Sequence, residues 1–297
     1  MNNKLNAIAT FIRVAEAGSF SAAARQTGSK QSAISQQIAA LEAELGVVLL
    51  RRTTRAMALT EAGAQYLQQI RPLMEAMDDI EVQLRPAHQQ LQGNLHIQLP
   101  SGIGQLLLPH LLRFQQEHPG IRLDVALDDR LAEVISEGVD VALRLAEQPP
   151  AHMAARQLAR VTTVLVASPA LLGDQPLREV AQLRDFPHVR FAGIAKDAPL
   201  TLMSGEETLS IPVNTVFRAN TSQVLMQAIT AGLGIGGLQL PLGAAALSAG
   251  TLVQVLPEYR LPDRYLYAVF PDARFIPQRV RTVVERLCAA IQMMPGF

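Results

Sequence analysis

A run of small and amide-bearing side chains occupies one face of a predicted helix near the N-terminus. The residues of this face are uncharged, and they are Gln31, Ser32, Ala33, Ser35 and Gln36. Glutamine can pair with the edge of an adenine in the DNA major groove, and small side chains allow close approach. A solvated helix face usually carries lysine and glutamate, and none occurs from Gln31 to Leu41. This face is therefore a candidate surface for contact with DNA bases.

Three arginines follow this helix within a short segment, and they are Arg51, Arg52 and Arg55. The apolar segment VVLL precedes them and AMAL follows them, which predicts a small β-hairpin, or wing. Arginines in a wing suit contacts with DNA phosphates or the minor groove. The cluster could instead serve solubility alone, but its position next to the polar helix favours DNA.

A second set of candidate residues falls near the ends of predicted strands in residues 93–297. They are Ser101, Gly102, Ile103, Asp128, Arg144, Thr221 and Ser222. Backbone N–H groups at helix N-termini carry partial positive charge, so such junctions suit a small anionic or polar ligand. Ser101 and Ser222 could equally be helix caps, and Arg144 could equally form a structural ion pair.

Other patterns associated with chemistry lack the context that they need. Gly232, Gly234 and Gly237 match GxGxxG, but they follow a predicted helix and open a strand, the reverse of a dinucleotide-binding motif. The six histidines have no metal-ligand spacing, and neither a nucleophile elbow nor a phosphate loop occurs. We therefore expect no catalytic residue, metal or cofactor, and a protein that is not an enzyme.

The elements that must position the polar face form a helix-turn-helix. Apolar spacing predicts a first helix, and Gly28 ends a short second helix that Ser19 or Ser21 can cap. The third helix is predicted to begin at Ser29 and to run to about Leu45. Its core-facing positions share helical spacing, and they are Ile34, Ile38, Leu41 and Leu45. Two helices joined by a short turn with glycine make the helix-turn-helix pattern.

A further helix, which Thr60 can cap, carries a heptad seam. Its apolar positions alternate in steps of four and three, and they are Tyr66, Ile70, Leu73, Met77, Ile80, Leu84, Ala87 and Leu91. This spacing favours a partner helix and therefore a dimer. We expect Pro72 to bend the helix and Pro86 to end it. The alternative is a helix packed on its own protomer, which the acidic residues flanking the seam disfavour.

Residues 93–297 alternate between predicted strands and helices. The strands LHIQLP, IRLDVAL and VDVALRL are separated by helices at Leu106–Gln116 and at RLAEVISEG, which implies a parallel sheet. A second alternation begins near Val161 and includes the hairpin-like segment TLMSGEETLSIPVNTVFRAN. In such folds ligands bind in the crevice where strand ends and helix N-termini converge.

The formal net charge of the 297 residues is zero, but its distribution is uneven. Residues 1–60 hold seven basic and three acidic side chains, whereas residues 93–297 hold seventeen basic and eighteen acidic ones. A basic head on a nearly neutral body is typical of a modular DNA-binding protein. No apolar run is long enough to span a bilayer, and Arg13 and Glu16 interrupt the N-terminal apolar stretch. The single cysteine, Cys288, fits a reducing compartment, so we expect a cytoplasmic protein without membrane contact.

The N-terminal segment resembles the DNA-binding head of LysR-type transcription regulators. The matching motifs are GSFSAAA, SAISQQI, LEAELG, LLRR and LTEAG. Two positions depart from the family pattern: Leu50 stands where phenylalanine is typical, and Gln36 stands where arginine is common. The second departure leaves the base preference open.

The remainder resembles the LysR-type effector domain, which is similar to periplasmic solute-binding proteins. The matching segments include FQQEHPGIRLDVALDDR, EGVDVALRLA and AITAGLGIGGLQLP. The expected fold is α/β overall: an all-α winged helix-turn-helix at residues 1–60, a linker helix at 61–92 and a two-lobed α/β effector domain at 93–297. The resemblance implies a lobe I of residues 93–161 and 266–297, a lobe II of residues 162–265, and two crossovers near residues 161 and 265.

The resemblance implies a sequence-specific transcriptional regulator whose activity responds to a small-molecule effector between the lobes. It further implies a homodimer through the linker helix and a tetramer through the effector domains, and it leaves contact with RNA polymerase open. The main alternative is a small-molecule-binding protein or enzyme in which the head serves only assembly. A second alternative is a nucleoid-type protein that binds DNA without sequence preference. DNA binding by residues 1–92 would exclude the first alternative. Sequence preference together with a response to a ligand would exclude the second.

Overall fold

The computed structural model describes residues 2–52, 57–83, 91–129, 138–151, 153–173, 177–205, 207–271 and 276–297. These residues form two compact units. The N-terminal unit comprises Met1–Gln89 with Arg274–Gln278, and the C-terminal unit comprises Gln90–Ala273 with Arg279–Phe297.

The N-terminal unit contains three short helices, a two-stranded hairpin and a long helix. Its elements are α1 (Asn2–Ala17), α2 (Phe20–Thr27), α3 (Gln31–Leu45), β1 (Leu50–Arg52), β2 (Met57–Leu59) and α4 (Glu61–Gln83). Ser19 caps α2, because its hydroxyl accepts the N–H of Ala22 at 3.1 Å, and Gly28 ends α2 with φ of 64°. The expected helix-turn-helix is therefore present.

The core of the N-terminal unit follows the predicted helical spacing. Ile34, Ile38 and Leu41 of α3 are buried, and Leu45 packs against them together with Phe11 of α1. The predicted wing is also confirmed in the described residues, because β1 pairs antiparallel with β2 and Arg51 lies opposite Ala58. Residues 53–56, which include Arg55, lie outside the described part of the chain.

Helix α4 begins where Thr60 caps it, since the Thr60 hydroxyl accepts the N–H of Gly63 at 2.9 Å. The helix continues through Pro72 to Gln83, so Pro72 does not end it. Two seam positions, Tyr66 and Ile70, pack against the core of their own head rather than standing open.

The seam expected to reach from Tyr66 to Leu91 is therefore wrong at both ends. Tyr66 contacts Phe11 with ring centroids 5.8 Å apart, and Leu91 is not helical. Leu73 and Met77 between them are exposed, with 45% and 38% of their surfaces accessible. The seam positions Leu84 and Ala87, like Pro86, fall outside the described residues.

The C-terminal unit is built from strands and helices in alternation. Its elements are β3 (Gly93–Leu99), α5 (Ser101–Glu117), β4 (Ile121–Leu127), β5 (Val141–Ala146), β6 (Ala154–Val161), β7 (Thr163–Ala167), α6 (Pro169–Leu172), a 3-10 helix (Val180–Asp185), β8 (Pro187–Phe191), β9 (Leu200–Ser204), β10 (Glu207–Ile211), β11 (Asn214–Ala219), α7 (Ser222–Thr230), β12 (Ile235–Gln239), α8 (Leu240–Ser248), β13 (Val253–Gln254), β14 (Arg264–Phe270) and α9 (Gln278–Gln292).

Each lobe contains one five-stranded sheet. The sheet of lobe I has the order β4-β3-β5-β14-β6, and the sheet of lobe II has the order β11-β8-β12-β7-β13. The predicted parallel pairing holds for β3 with β4 and β5, and for β8 with β11 and β12. The strands next to the crossovers are antiparallel instead. Strand β14 begins at Arg264, so lobe I also takes in Arg264 and Tyr265, two residues earlier than expected.

Several local differences separate the observed fold from the predicted one. Helix α5 begins at Ser101, five residues before the predicted start at Leu106. The prediction began too late because Gly102 and Gly104 resemble helix breakers in the sequence. A side chain at Gly104 would lie 2.7 Å from Leu99 Cβ, so this glycine permits close packing on β3. The second difference is edge strand β6, and the third is helix α8; neither was predicted. The helix expected at RLAEVISEG lies outside the described residues, apart from a turn at Gly138.

Candidate DNA-binding surface and effector cavity

The predicted DNA-reading face of α3 is open to solvent. Gln31, Ser32, Ala33 and Gln36 are exposed, and Ser35 is half-buried. The opposite face of α3 is fixed by its buried aliphatic side chains in the core of the head. Helix α3 is thus anchored in the core of the head while its polar face stays accessible, as a helix that enters a major groove requires.

Glu42 connects this helix to the wing. Its Oε1 accepts the backbone N–H groups of Leu49 at 2.8 Å and Leu50 at 3.0 Å. Arg51 is exposed on β1, and Arg52 belongs to the same strand. Sequence analysis missed Glu42, because nothing local distinguishes a glutamate that caps a strand from one that is solvated.

A cavity of about 540 Å³ lies between the two lobes of the C-terminal unit. Five of the predicted effector residues line it, and they are Gly102, Ile103, Asp128, Arg144 and Ser222. The lining does not include Ser101 or Thr221. The hydroxyl of Thr221 instead caps α7 by accepting the N–H of Val224 at 3.4 Å.

Ser101 also acts within the fold rather than at the cavity wall. Its backbone N–H donates to Oδ1 of Asp129 at 2.9 Å, and its hydroxyl donates to Oδ2 of the same carboxylate. An internal carboxylate therefore already occupies the first turn of α5, where the partial positive charge of a helix N-terminus favours an anion. The two donors of Ser101 that were predicted to bind an anionic ligand thus bind the carboxylate of Asp129 instead.

Arg144 is buried, and the partners shown for it belong to lobe I. Its Nη1 donates to the carbonyl of Leu143 at 3.2 Å, and its Nη2 donates to Oε1 of Gln98. These bonds support the structural alternative for Arg144, although the side chain also lines the cavity.

Strand β8 contributes two cavity residues that sequence analysis missed. Arg190 is only 8% exposed, and it donates from Nη2 to the carbonyl of Pro199 at 3.1 Å and from Nη1 to the carbonyl of Ala198. His188 is buried next to it, and its Nε2 lies 2.8 Å from the carbonyl of Leu183. A basic pair spaced two residues apart in an otherwise apolar strand was the available signal.

The environment of His188 defines its protonation state. Burial lowers the pKa of its imidazole below 6.5, the charge of Arg190 lowers it further, and the bond to Leu183 opposes both. The ring is therefore neutral at neutral pH. A carbonyl only accepts, so Nε2 carries the proton and Nδ1 is left as an acceptor.

Direct contacts connect the two lobes beside the cavity. Gln105 of α5 and Gln223 of α7 exchange side-chain amide hydrogen bonds of 2.6 and 3.1 Å. A Cβ atom at Gly102 would lie 3.2 Å from Cβ of Ser222 and 3.0 Å from Leu242. The lobes thus approach each other closely where α5 meets α7.

The two crossovers are also held together. Asp263, just before β14, accepts a bond from Arg160 near the end of β6 at 2.7 Å, and another from Arg260 at 2.5 Å. Burial opposes ionisation of Asp263, but the two arginines outweigh it and lower the pKa of its carboxyl. An anionic carboxylate shared by two arginines thus joins the paths by which the chain passes between the lobes.

The described residues contain no cluster of three or more histidine, cysteine, aspartate or glutamate side chains able to hold a metal ion. Within the same residues, no helix has the length and apolar character needed to cross a membrane.

Comparison with known proteins agrees with this architecture. Residues 5–64 match the family model of the bacterial regulatory helix-turn-helix protein, lysR family, and residues 88–291 match that of the LysR substrate binding domain. The chain therefore belongs to the LysR family of transcriptional regulators. It is a DNA-binding regulator with an effector-binding domain, and it is not an enzyme.

Similar proteins align over nearly the full length. The HTH-type transcriptional regulator YhjC of Escherichia coli is 34% identical over 98% of both chains. The structure of CrgA, a LysR-type transcriptional regulator from Neisseria meningitidis, is 27% identical, with a TM-score of 0.61 over 96% of this chain and 97% of CrgA. The full-length structure of the Vibrio cholerae virulence activator AphB is 25% identical, with a TM-score of 0.59 over 96% of this chain and 99% of AphB.

Proposed function

We propose that this regulator reads operator DNA with the exposed face of α3 and the wing arginines, and that a small anionic or polar effector in the inter-lobe cavity controls it. The observation that carries the effector proposal is the cavity itself. Its volume of about 540 Å³ suits a small molecule, and residues of both lobes line it.

A ligand that touches both lobes can act as a switch. It stabilises one arrangement of the lobes over another by the difference in its affinity for the two. The resulting coupling to DNA binding is typically about 1–3 kcal/mol, and it is reciprocal. Operator DNA should therefore change the affinity for the effector by the same factor as the effector changes the affinity for the operator.

We further propose that the protein is a homodimer through α4 and acts in the cytoplasm. Leu73 and Met77 are exposed apolar residues one helical turn apart on α4, and burial of both against a second copy would stabilise the dimer. Two heads would then reach two DNA half-sites. Pairing of effector domains into a tetramer and contact with RNA polymerase remain family expectations.

The DNA proposal is tested by salt titration of operator binding. Arg51→Ala should weaken binding to all sequences and reduce the slope of log K against log salt by about one unit for each subunit contact. Gln36→Ala should instead change the preference at one base pair, by about 1–3 kcal/mol. A matched control is Arg113→Ala, which removes an exposed arginine of the C-terminal unit. If Arg51→Ala behaves like this control, the wing does not contact DNA.

The effector proposal is tested by a thermal-shift screen of the full-length protein with small carboxylates and uncharged polar compounds, because a ligand of the folded state raises its stability. Leu261→Trp places a larger side chain in the cavity wall, so it should abolish the shift produced by any hit. Leu112→Trp makes the same change at a position that is 54% exposed and serves as the control. Hits that survive Leu261→Trp would place the effector elsewhere.

A further inference from the structure

The cavity walls contributed by the two lobes differ in charge. Among the described lining residues of lobe II, Arg190 is the one charged side chain. The rest of that wall is mostly apolar and includes Leu165, Val189, Phe191 and Leu225. The single arginine in this apolar wall thus creates a local anion-binding position.

The charge of Arg190 is not neutralised by an acidic side chain among the described residues. Its hydrogen bonds go to the main-chain carbonyls of Ala198 and Pro199. Burial, reinforced by the charge of Arg218, lowers the pKa of the Arg190 guanidinium, yet arginine remains charged in proteins. A buried charge without a counter-ion is costly, so an anion that enters this cavity is stabilised by pairing with the Arg190 guanidinium.

The guanidinium also has donors to spare. It carries more N–H groups than the bonds to Ala198 and Pro199 use, so a carboxylate can bind without displacing them. Those bonds hold the loop of residues 192–199, and Arg218 holds the same loop through the carbonyls of Ala192, at 2.6 Å, and Ile194. Arg190 is thus fixed in position before a ligand arrives, which favours binding.

The opposite wall disfavours a second negative group on the ligand. Lobe I lines the cavity with the carboxylates of Asp128, Asp129 and Glu147, together with Arg144 and Arg264. Arg144 is already bonded to Gln98 and Leu143 of its own lobe. The three carboxylates of this wall outnumber its two arginines, which disfavours the second anionic group of a dicarboxylate there.

We propose that the effector is an amphipathic monocarboxylate, with its carboxylate bound by Arg190 and its apolar body packed on the lobe II wall. This inference rests on the proposed function, namely that the inter-lobe cavity is the effector site. It adds the chemical class of the effector and the residue that selects it.

The test uses calorimetry of the full-length protein with benzoate, phenylacetate and hexanoate, each paired with its primary amide, and with the dicarboxylate adipate. We expect at least one acid to bind about 10- to 100-fold more tightly than its amide, the effect of charged hydrogen bonds at a buried site. Adipate should bind more weakly than hexanoate. Arg190→Gln should remove the advantage of the acid over its amide.

The control is Arg218→Gln, which also loosens the loop of residues 192–199 but removes a side chain that does not line the cavity. It should retain the preference for the acid. If Arg190→Gln does not fold, Arg190→Lys keeps the charge and loses the paired geometry, so it should bind the acid with intermediate affinity.

The outcomes separate this inference from the proposed function. Equal binding of acids and amides, unchanged acid affinity in Arg190→Gln or Arg190→Lys, or no binding of any acid would overturn the monocarboxylate inference. The cavity remains the effector site in those cases if another ligand from the thermal-shift screen binds and Leu261→Trp abolishes that binding. Binding that persists in Leu261→Trp contradicts the proposed function itself.

Discussion

The carboxylate of Asp129 accepts both the backbone N–H and the hydroxyl of Ser101, with 2.9 Å between the Ser101 nitrogen and Oδ1. The first turn of α5 is therefore satisfied by a side chain of the protein. In a family whose effector domain binds small molecules, this bond removes one helix N-terminus from the set of available anion sites. Arg190 in lobe II is the anion-binding position that we propose instead.

Asp129→Ala should destabilise the C-terminal unit. The change removes the acceptor for two donors of Ser101, and loss of such a helix cap costs about 0.5–2 kcal/mol. The measurement is the midpoint of thermal unfolding of the full-length protein. Added formate should restore part of the loss, because it supplies a carboxylate to the same donors. Asp124→Ala, at an exposed position of β4, is the control; equal midpoints for the two variants would show that the bond contributes nothing.

Glu42→Ala should loosen the wing. The backbone N–H groups of Leu49 and Leu50, both buried residues, lose their acceptor, at a cost of about 1–3 kcal/mol. The expected result is a lower unfolding midpoint together with weaker operator binding. Glu44→Ala removes a neighbouring glutamate whose ion pair with Lys4 is exposed, and it should have little effect. If Glu42→Ala keeps the wild-type affinity for the operator, the bonds from Glu42 to the wing are not needed for DNA binding.

Met77→Lys should dissociate the dimer. A lysine at this exposed apolar position would have to bury its charge against the second copy, which costs far more than the apolar contact gains. Analytical ultracentrifugation should show a smaller species, and binding to a complete two-half-site operator should weaken. Gln69→Lys adds the same charge at an exposed polar position of α4. Identical sedimentation of Met77→Lys and Gln69→Lys would place the dimer contact elsewhere.

His188 should make the stability of the C-terminal unit depend on pH. Its folded-state pKa lies below 6.5, chiefly because of burial, so only the unfolded state takes up a proton as the pH falls through that value. The stability that the protein has with a neutral, buried His188 is fully present above about pH 6.5. It is lost progressively as the pH falls from 6.5 to the lower folded-state pKa.

His188→Gln should therefore flatten the decline in unfolding midpoint between about pH 7.5 and about pH 5, the range in which histidine titrates. His110→Gln, which removes a half-buried histidine of α5, is the control. A decline that is equally steep in wild type and His188→Gln would mean that other groups dominate in this range.

The helical spacing of apolar residues was sufficient to predict the helices whose apolar face packs on neighbouring elements of the same unit. The spacing of Ile34, Ile38 and Leu41 was sufficient for the core of the head, since every turn of α3 presents one face to it. The same reasoning could not assign the seam of α4. Tyr66 and Ile70 have the spacing of a dimer contact, but a helix that packs on its own head requires the same spacing.

The cavity was predicted only in part, because its chemistry depends on contacts distant in sequence. The junctions of strands and helices placed Gly102, Asp128 and Ser222 correctly at the lining. The spacing of His188 and Arg190 in an apolar strand was the one local signal, whereas the burial of Arg190 and its lack of an acidic partner among the described residues depend on distant segments. Asp129 was missed as the partner of Ser101 for the same reason.

The bond network of Asp263 has a mechanical consequence. Strands β6 and β14 pair along their length, with Val161 opposite Arg264, so the chain leaves lobe I and returns to it through neighbouring strands. The bond from Arg160 to Asp263 joins these two connections at their exit, and Arg260 holds the same carboxylate from within the returning connection. Because two strands that are hydrogen-bonded side by side resist sliding past each other, we expect twist about their common axis to be the easiest motion between the lobes. We therefore expect an effector bound between the lobes to act by twisting one lobe against the other.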